Sequence, residues 1–212
     1  DINLIDSVIF AVKPQILSKV LSDFQNYKFK KNTIYISIVA GKKINFFNKF
    51  LPLSNQFIRV MPNMPALINE SMSCLLSNKY VTKKNINFFN ILFSKVGKTI
   101  WLKDEVEINK VTAISGSGPG YIFLIIDAFE KAAKELGMNN NITKELVHQT
   151  LFGSINLFLN EKKSAATLAK NIAIKGGTTE AGLNVFRKNK VLHETFKNVI
   201  KAAYLKSNQL GK

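Results

Sequence analysis

Lys175-Gly-Gly-Thr-Thr-Glu-Ala-Gly182, running on into Leu183, Val185 and Phe186, reads as a glycine turn that opens an apolar-periodic helix. Two glycines let the backbone turn without a Cβ penalty. Thr178 and Thr179 then fall where the first amides of a helix lack an intrahelical acceptor. Those amides, together with the positive end of the helix dipole, suit a small carboxylate. Taken alone, an ordinary glycine-turned helix start explains the stretch better.

Upstream, Ala113-Ile-Ser-Gly-Ser-Gly-Pro-Gly-Tyr121 leads directly into Ile122-Phe-Leu-Ile-Ile-Asp-Ala-Phe129. Four further pieces precede it in order: Ala11-Val-Lys-Pro-Gln15, Ser37-Ile-Val-Ala-Gly41, Arg59-Val-Met-Pro-Asn-Met-Pro65 and Gly97-Lys-Thr-Ile-Trp101. Taken together, over essentially the whole chain, these pieces resemble the pyrroline-5-carboxylate reductase family. The resemblance implies hydride transfer from NADPH or NADH to the imine carbon of 1-pyrroline-5-carboxylate, the last step of proline biosynthesis. It also implies a cytoplasmic homodimer or larger ring whose dimer is built from the helical half.

The elements between these motifs argue the fold independently. Residues 7–12 form a β-branched apolar run that reads as a buried parallel strand, and residues 15–24 have helical spacing after Pro14. Further strands are expected at 33–39, 56–61, 71–76 and 98–102, with helices around 43–50 and 85–96. This alternation argues an α/β doubly wound, incomplete Rossmann-type sheet over residues 1–103, whose strand-end loops are the place for ligands. From residue 104 only helices are read, at 105–114, 120–137, 143–160, 164–173, 178–189 and 191–209. Residues 104–212 are therefore expected to be an all-α substrate and dimerisation domain, with Leu146, Thr150, Gly153 and Leu157 packing on more than one side.

Composition narrows the function further. The 212 residues carry a formal charge of +16, with 46% hydrophobic residues and a mean hydropathy of +0.04. The only arginines are Arg59 and Arg187, and the lysines are scattered singly or in pairs among many asparagines. Nucleic-acid faces cluster arginine with interleaved aromatics, so the charge reads as compositional drift and no nucleic-acid partner is expected. No apolar run approaches bilayer length by this reading, and no membrane partner is expected. Asp1-Ile-Asn-Leu-Ile-Asp6 has neither a basic region nor a cleavage site. Cys74 is the single cysteine, which excludes an intramolecular disulfide. Neither His148 nor His193 sits in a ligand-like cluster, so no metal is expected.

Site residues follow from the resemblance. Ala11, Val12, Lys13 and Pro14 match its cofactor loop, and Ile38, Val39 and Ala40 match a second cofactor-lining segment that is usually built of smaller residues. Asn63, between Pro62 and Pro65, is placed towards the nicotinamide end, although an Asx turn explains it nearly as well. Thr179 matches the threonine whose hydroxyl contacts the substrate ring nitrogen. Gly177, Thr178 and Thr179 would hold the substrate carboxylate. Glu105 and Asn171 fall at ligand-contacting positions, with an acidic first-turn residue the alternative for Glu105. The family's Ser-Pro ahead of the two glycines is replaced here by Ile174-Lys175, which makes Lys175 a candidate carboxylate contact. The Ser115-Gly-Ser-Gly118 glycines are read mainly as helix packing.

A dinucleotide-binding sheet usually begins with a Gly-x-Gly-x-x-Gly turn between strand and helix. None occurs here, because Gly116, Gly118 and Gly120 follow no strand. The expectation is therefore a fragment of a longer protein or a shortened reading frame. Two alternatives stay open: a remnant that folds and dimerises without cofactor, and a related imine or β-hydroxyacid reductase.

Overall fold

The computed structural model describes residues 2–51 and 55–211, so Asp1 of the acidic opening lies outside the described residues. The chain divides into two compact units, one comprising Asp1–Pro119 with Ile200–Lys212 and the other Gly120–Val199.

The first unit is built on a five-stranded sheet in which strand order follows chain order. Its strands are β1 (Ser7–Phe10), β2 (Ile34–Ser37), β3 (Phe57–Met61), β4 (Ser71–Ser77) and β5 (Gly97–Trp101). The helices α1 (Leu17–Phe24) and α2 (Ile44–Phe47) connect β1 to β2 and β2 to β3, which run parallel. Side chains alternate across the sheet. Phe10, Tyr35 and Phe57 face Leu17 and Leu21 of α1 and Phe47 of α2, with the Phe47 and Phe57 ring centroids 4.7 Å apart. On the opposite face Ile34, Ile36, Ile58, Val60 and Leu75 pack with Phe89 of α3 (Lys83–Ser94). Helices thus cover both faces, as a doubly wound sheet requires.

The sheet is mixed, which the sequence reading did not specify. β4 runs antiparallel to β3, and β5 is parallel to β4. The connection over residues 62–70 is too short for a parallel crossover, which needs about a dozen residues. Instead it forms a 3₁₀ turn, Met64–Ile68, closed by Asn69 in the left-handed region.

After β5 comes α4 (Glu105–Val111), whose N-cap Asp104 accepts from the Glu107 N–H at 3.0 Å. Glu107 reaches back to the Lys103 N–H at 2.7 Å, so two otherwise orphaned donors are satisfied. The helix does not stop at residue 114 and restart at 120. A π-helical turn, Thr112–Gly116, carries it into α5 (Gly118–Lys134). This joining corrects the expectation about apolar runs, because the continuous stretch Glu105–Lys134 is long and apolar enough, by length and composition, to cross a bilayer.

The second unit holds the remainder of α5, then α6 (Asn140–Asn160), α7 (Ala165–Ile172), α8 (Thr178–Arg187) and the first part of α9 (Val191–Leu210). α6 begins earlier than expected because Asn139 caps it, accepting from the Asn141 N–H at 2.9 Å. Ser164 caps α7 in the same way through the Thr167 N–H. Thr143 and Val147 are buried, whereas Leu146, Phe152, Leu157, Leu159, Val185 and Phe186 are exposed. The last turns of α9 belong to the first unit, where Asn208 Oδ1 accepts from Asn109 Nδ2 at 2.7 Å and Ser207 Oγ donates to Asn109 Oδ1 at 2.9 Å. Leu210 there packs against Gly41.

Candidate functional site

Parallel pairing of β1, β2 and β3 gathers the segments leaving their C-terminal ends along one edge. Ala11-Val12-Lys13-Pro14 follows β1, Ile38-Val39-Ala40 follows β2, and Pro62-Asn63 follows β3. The Ile38 N–H donates to the Phe10 carbonyl at 3.1 Å, tying the first two segments side by side. Open α/β sheets bind ligands at such an edge. Ala11 and Lys13 are exposed, while Val12, Pro14, Ile38 and Ala40 are half-buried. Val39 is different: its side chain is in the core and its N–H donates to Ser37 Oγ at 3.2 Å, so it offers the edge no side chain. In kind these residues fit a dinucleotide, with loop backbone at a parallel edge and an exposed lysine suited to a phosphate oxygen.

Asn63 is engaged on every side. Its Oδ1 accepts from Ser71 Oγ at 3.1 Å and from the Met72 N–H at 3.0 Å, and its Nδ2 donates to the Ser115 carbonyl at 3.0 Å. Its side chain joins the end of β3, the start of β4 and the π-helical turn. Below that turn Cys74 is buried, which pushes its thiol above the usual cysteine range against a smaller lowering by Ser115.

Glu105 opens α4 and serves two partners with one oxygen. Arg59 Nη1 donates to Glu105 Oε1 at 2.8 Å, and the Ile44 N–H donates to the same atom at 2.8 Å. Arg59 stands in the middle of β3 with a side chain only 4% exposed. Burial pulls its guanidinium below the ordinary arginine value, and the hydrogen bond and charge of Glu105 push back. The carboxylate therefore neutralises a buried cation and fixes the start of α2, just beyond the Ile38-Val39-Ala40 segment.

The remaining expected substrate residues lie in the second unit. Gly176 has φ +76, a left-handed conformation that Ile174-Lys175 could not supply, and Gly177 is the N-cap of α8. The Gly177 N–H donates to the Ile174 carbonyl at 2.9 Å, closing a tight turn that carries Lys175 exposed. Thr178 is exposed and Thr179 half-buried, both in the first turn of α8, and Asn171 is exposed near the end of α7. Lys175, Gly177, Thr178 and Thr179 thus share one turn.

Two residues escaped the sequence reading. Glu180 Oε2 accepts from the Gly176 N–H at 2.7 Å, bracing the turn from the first turn of α8. Its position three residues after the N-cap is the capping-box spacing, which was available as a signal. Arg59, a cation inside an apolar strand, was the other signal, since such a residue needs a buried partner.

An open-edged sheet of the Rossmann type followed by an apolar helical region is the class that this architecture defines. The model of the family "Pyrroline-5-carboxylate reductase dimerisation" matches residues 105–210. The pyrroline-5-carboxylate reductase of Haemophilus influenzae is 34% identical over 204 residues, covering 96% of this chain and 74% of that protein. The Arabidopsis thaliana enzyme of that name is 34% identical over 206 residues, 97% and 73% of the two chains. Among solved structures, Plasmodium falciparum pyrroline carboxylate reductase with NADP bound superposes with a TM-score of 0.89 at 32% identity, covering 98% of this chain and 78% of that one. The chain belongs to the pyrroline-5-carboxylate reductase family.

Proposed function

We propose that the protein reduces 1-pyrroline-5-carboxylate to L-proline with NADPH or NADH, working in the cytoplasm as a homo-oligomer joined through its helical part. The observation that carries this reading is that one family member contains both a ligand-type parallel sheet edge and a Gly-Gly-Thr-Thr helix start. Residues 1–103 form the cofactor part and residues 104–212 the substrate and dimerisation part. The exposed apolar side chains Ile122, Phe123, Leu124 and Phe129 of α5 suit burial against a second copy better than against lipid, because Asp127 and Lys131 form an ion pair on the same helix.

The cofactor, when bound, supplies the hydride. Everything else falls to this chain. Ala11, Val12, Lys13, Pro14, Ile38 and Ala40 form its bed at the sheet edge, with Lys13 facing phosphate, and Val39 supports that bed from the core. Asn63 ties the end of that bed to the turn at Ser115. Gly177 and Thr178 present the first amides of α8 to the substrate carboxylate, where the helix dipole adds attraction. Thr179 holds the ring nitrogen through its hydroxyl; it orients the imine and is too weak an acid to protonate it. Lys175 adds a charge to the carboxylate in place of the lost serine, Asn171 contributes a polar contact from α7, and Glu105 acts by fixing the starts of α2 and α4.

NADPH titration followed by an imine-reduction assay tests the reading. Saturable binding and turnover are expected, and a chain that binds no cofactor at millimolar NADPH would overturn it. In the active protein, Thr179→Ala is expected to lower kcat/KM by about 10- to 100-fold, the loss of one hydrogen bond to a charged group. Lys175→Ala is expected to raise KM for the imine by roughly 3- to 5-fold with kcat unchanged, the modest effect of an exposed charge.

A further inference from the structure

Ser115 and Pro119 are four residues apart in one continuous helical run. In an α-helix the carbonyl of Ser115 would accept from the N–H of residue 119, but proline has none, and its ring crowds that same carbonyl. The chain responds with a π-helical turn, in which the Ser117 N–H donates to the Thr112 carbonyl at 2.8 Å. The Ser115 carbonyl is turned out to Asn63 Nδ2 at 3.0 Å. The orientation of the Asn63 amide is fixed by its neighbours, since the Met72 N–H can only donate and the Ser115 carbonyl can only accept. Gly116 lies close to the end of β3: a Cβ there would come within 2.6 Å of Met61 Cε, the tip of a flexible side chain.

We propose that Asn63 is a positioning residue that replaces the hydrogen bond removed by Pro119 and so clamps the Ser115-Gly-Ser-Gly118 turn to the ligand edge of the sheet. Its side chain is committed to the protein, and it acts on the reaction by holding that turn, without gripping the nicotinamide. This rests on the proposed reductase reading only for its effect on turnover; the clamp itself is a property of the fold.

The test is a cycle of Asn63→Ala and Pro119→Ala, read by amide hydrogen exchange at Ser117 and by the thermal midpoint. Asn63→Ala is expected to speed Ser117 exchange by about tenfold, and by under about threefold in the Pro119→Ala background, where residue 119 again carries a donor. Equal acceleration in both backgrounds would overturn the clamp. A second measurement needs no variant. In the wild-type chain, one Asn63 side-chain N–H proton is expected to exchange slowly and to keep its NMR shift while the backbone amides of Lys13 and Ile38 move on NADPH addition. A shift of the Asn63 side-chain signal along with those amides would overturn the inference and make Asn63 a cofactor contact. If no amide moves, the reductase reading fails, and the exchange cycle still decides the clamp.

Discussion

Glu105→Ala is expected to lower the unfolding free energy by about 3 kcal/mol, the lower part of the range for stranding one member of a buried ion pair. The lower part applies because the Glu105 side chain keeps 26% of its surface while Arg59 keeps 4%. The loss comes from the arginine, which stays charged in the sheet without its counter-ion, and from the Ile44 N–H, which loses its acceptor at the start of α2. Glu105→Gln, which keeps an acceptor of the same shape, is expected to cost roughly half as much. Replacing the pair together, Arg59→Met with Glu105→Leu, is expected to return the part lost from the arginine, since an apolar pair of similar volume avoids desolvating two charges, while the Ile44 N–H stays without its acceptor. Urea unfolding with matched m-values measures all three. If Glu105→Ala left the midpoint unchanged, the carboxylate would have no structural role, and its assignment would return to substrate contact alone.

Gly97→Ala is the second large effect. Gly97 opens β5 with φ +139, and a Cβ on it would lie 2.1 Å from the Ser71 carbonyl oxygen and 2.3 Å from the Ser71 nitrogen. Both obstacles are backbone in the paired strand, so no side-chain rotation relieves them. Backbone strain and overpacking of this kind each cost about 1–3 kcal/mol, giving a loss of roughly 3 kcal/mol or more. For a chain of this size that corresponds to a fall in Tm of about 6–12 °C. The damage is expected to spread to the site, because Ser71 Oγ donates to Asn63 and Ser71 N–H donates to the Val96 carbonyl at 2.8 Å. Calorimetry of Gly97→Ala beside Gly118→Ala makes the comparison, since nothing lies within 4 Å of a Cβ at Gly118. Similar midpoints for the two variants would sink this account.

What was legible in the sequence was whatever short-range pattern carries. The runs around Val8, Ile36 and Ile58 are β-branched and bounded by turn residues, so the parallel strands were found, and with them the edge that bears Lys13 and Ile38. Gly176 and Gly177 announced the start of α8. What escaped depends on residues far apart in the chain. Glu105 and Arg59 are 46 positions apart, so the identity of the buried partner lies outside any local window. Val39 was placed at the edge with its neighbours, although strand alternation turns its side chain to the core. The reversal of β4 had a readable cause in the short 62–70 connection. The joining of α4 to α5 did not: glycine, serine and proline in series normally end helices, and here Asn63, from the connection after β3, donates to the Ser115 carbonyl.

The return of α9 to the first unit has a consequence for the order in which the protein is made. Asn109 and Gly41 leave the ribosome well before their partners Ser207, Asn208 and Leu210. The sheet must therefore wait, with part of its surface open, until all the helices of the other unit have been synthesised. A nascent chain halted before Ser207, or one cut there by a protease, would lose the turn behind Ile38-Val39-Ala40 while keeping the five strands of the sheet. Completion of the first unit thus depends on the turn that carries Ser207, Asn208 and Leu210.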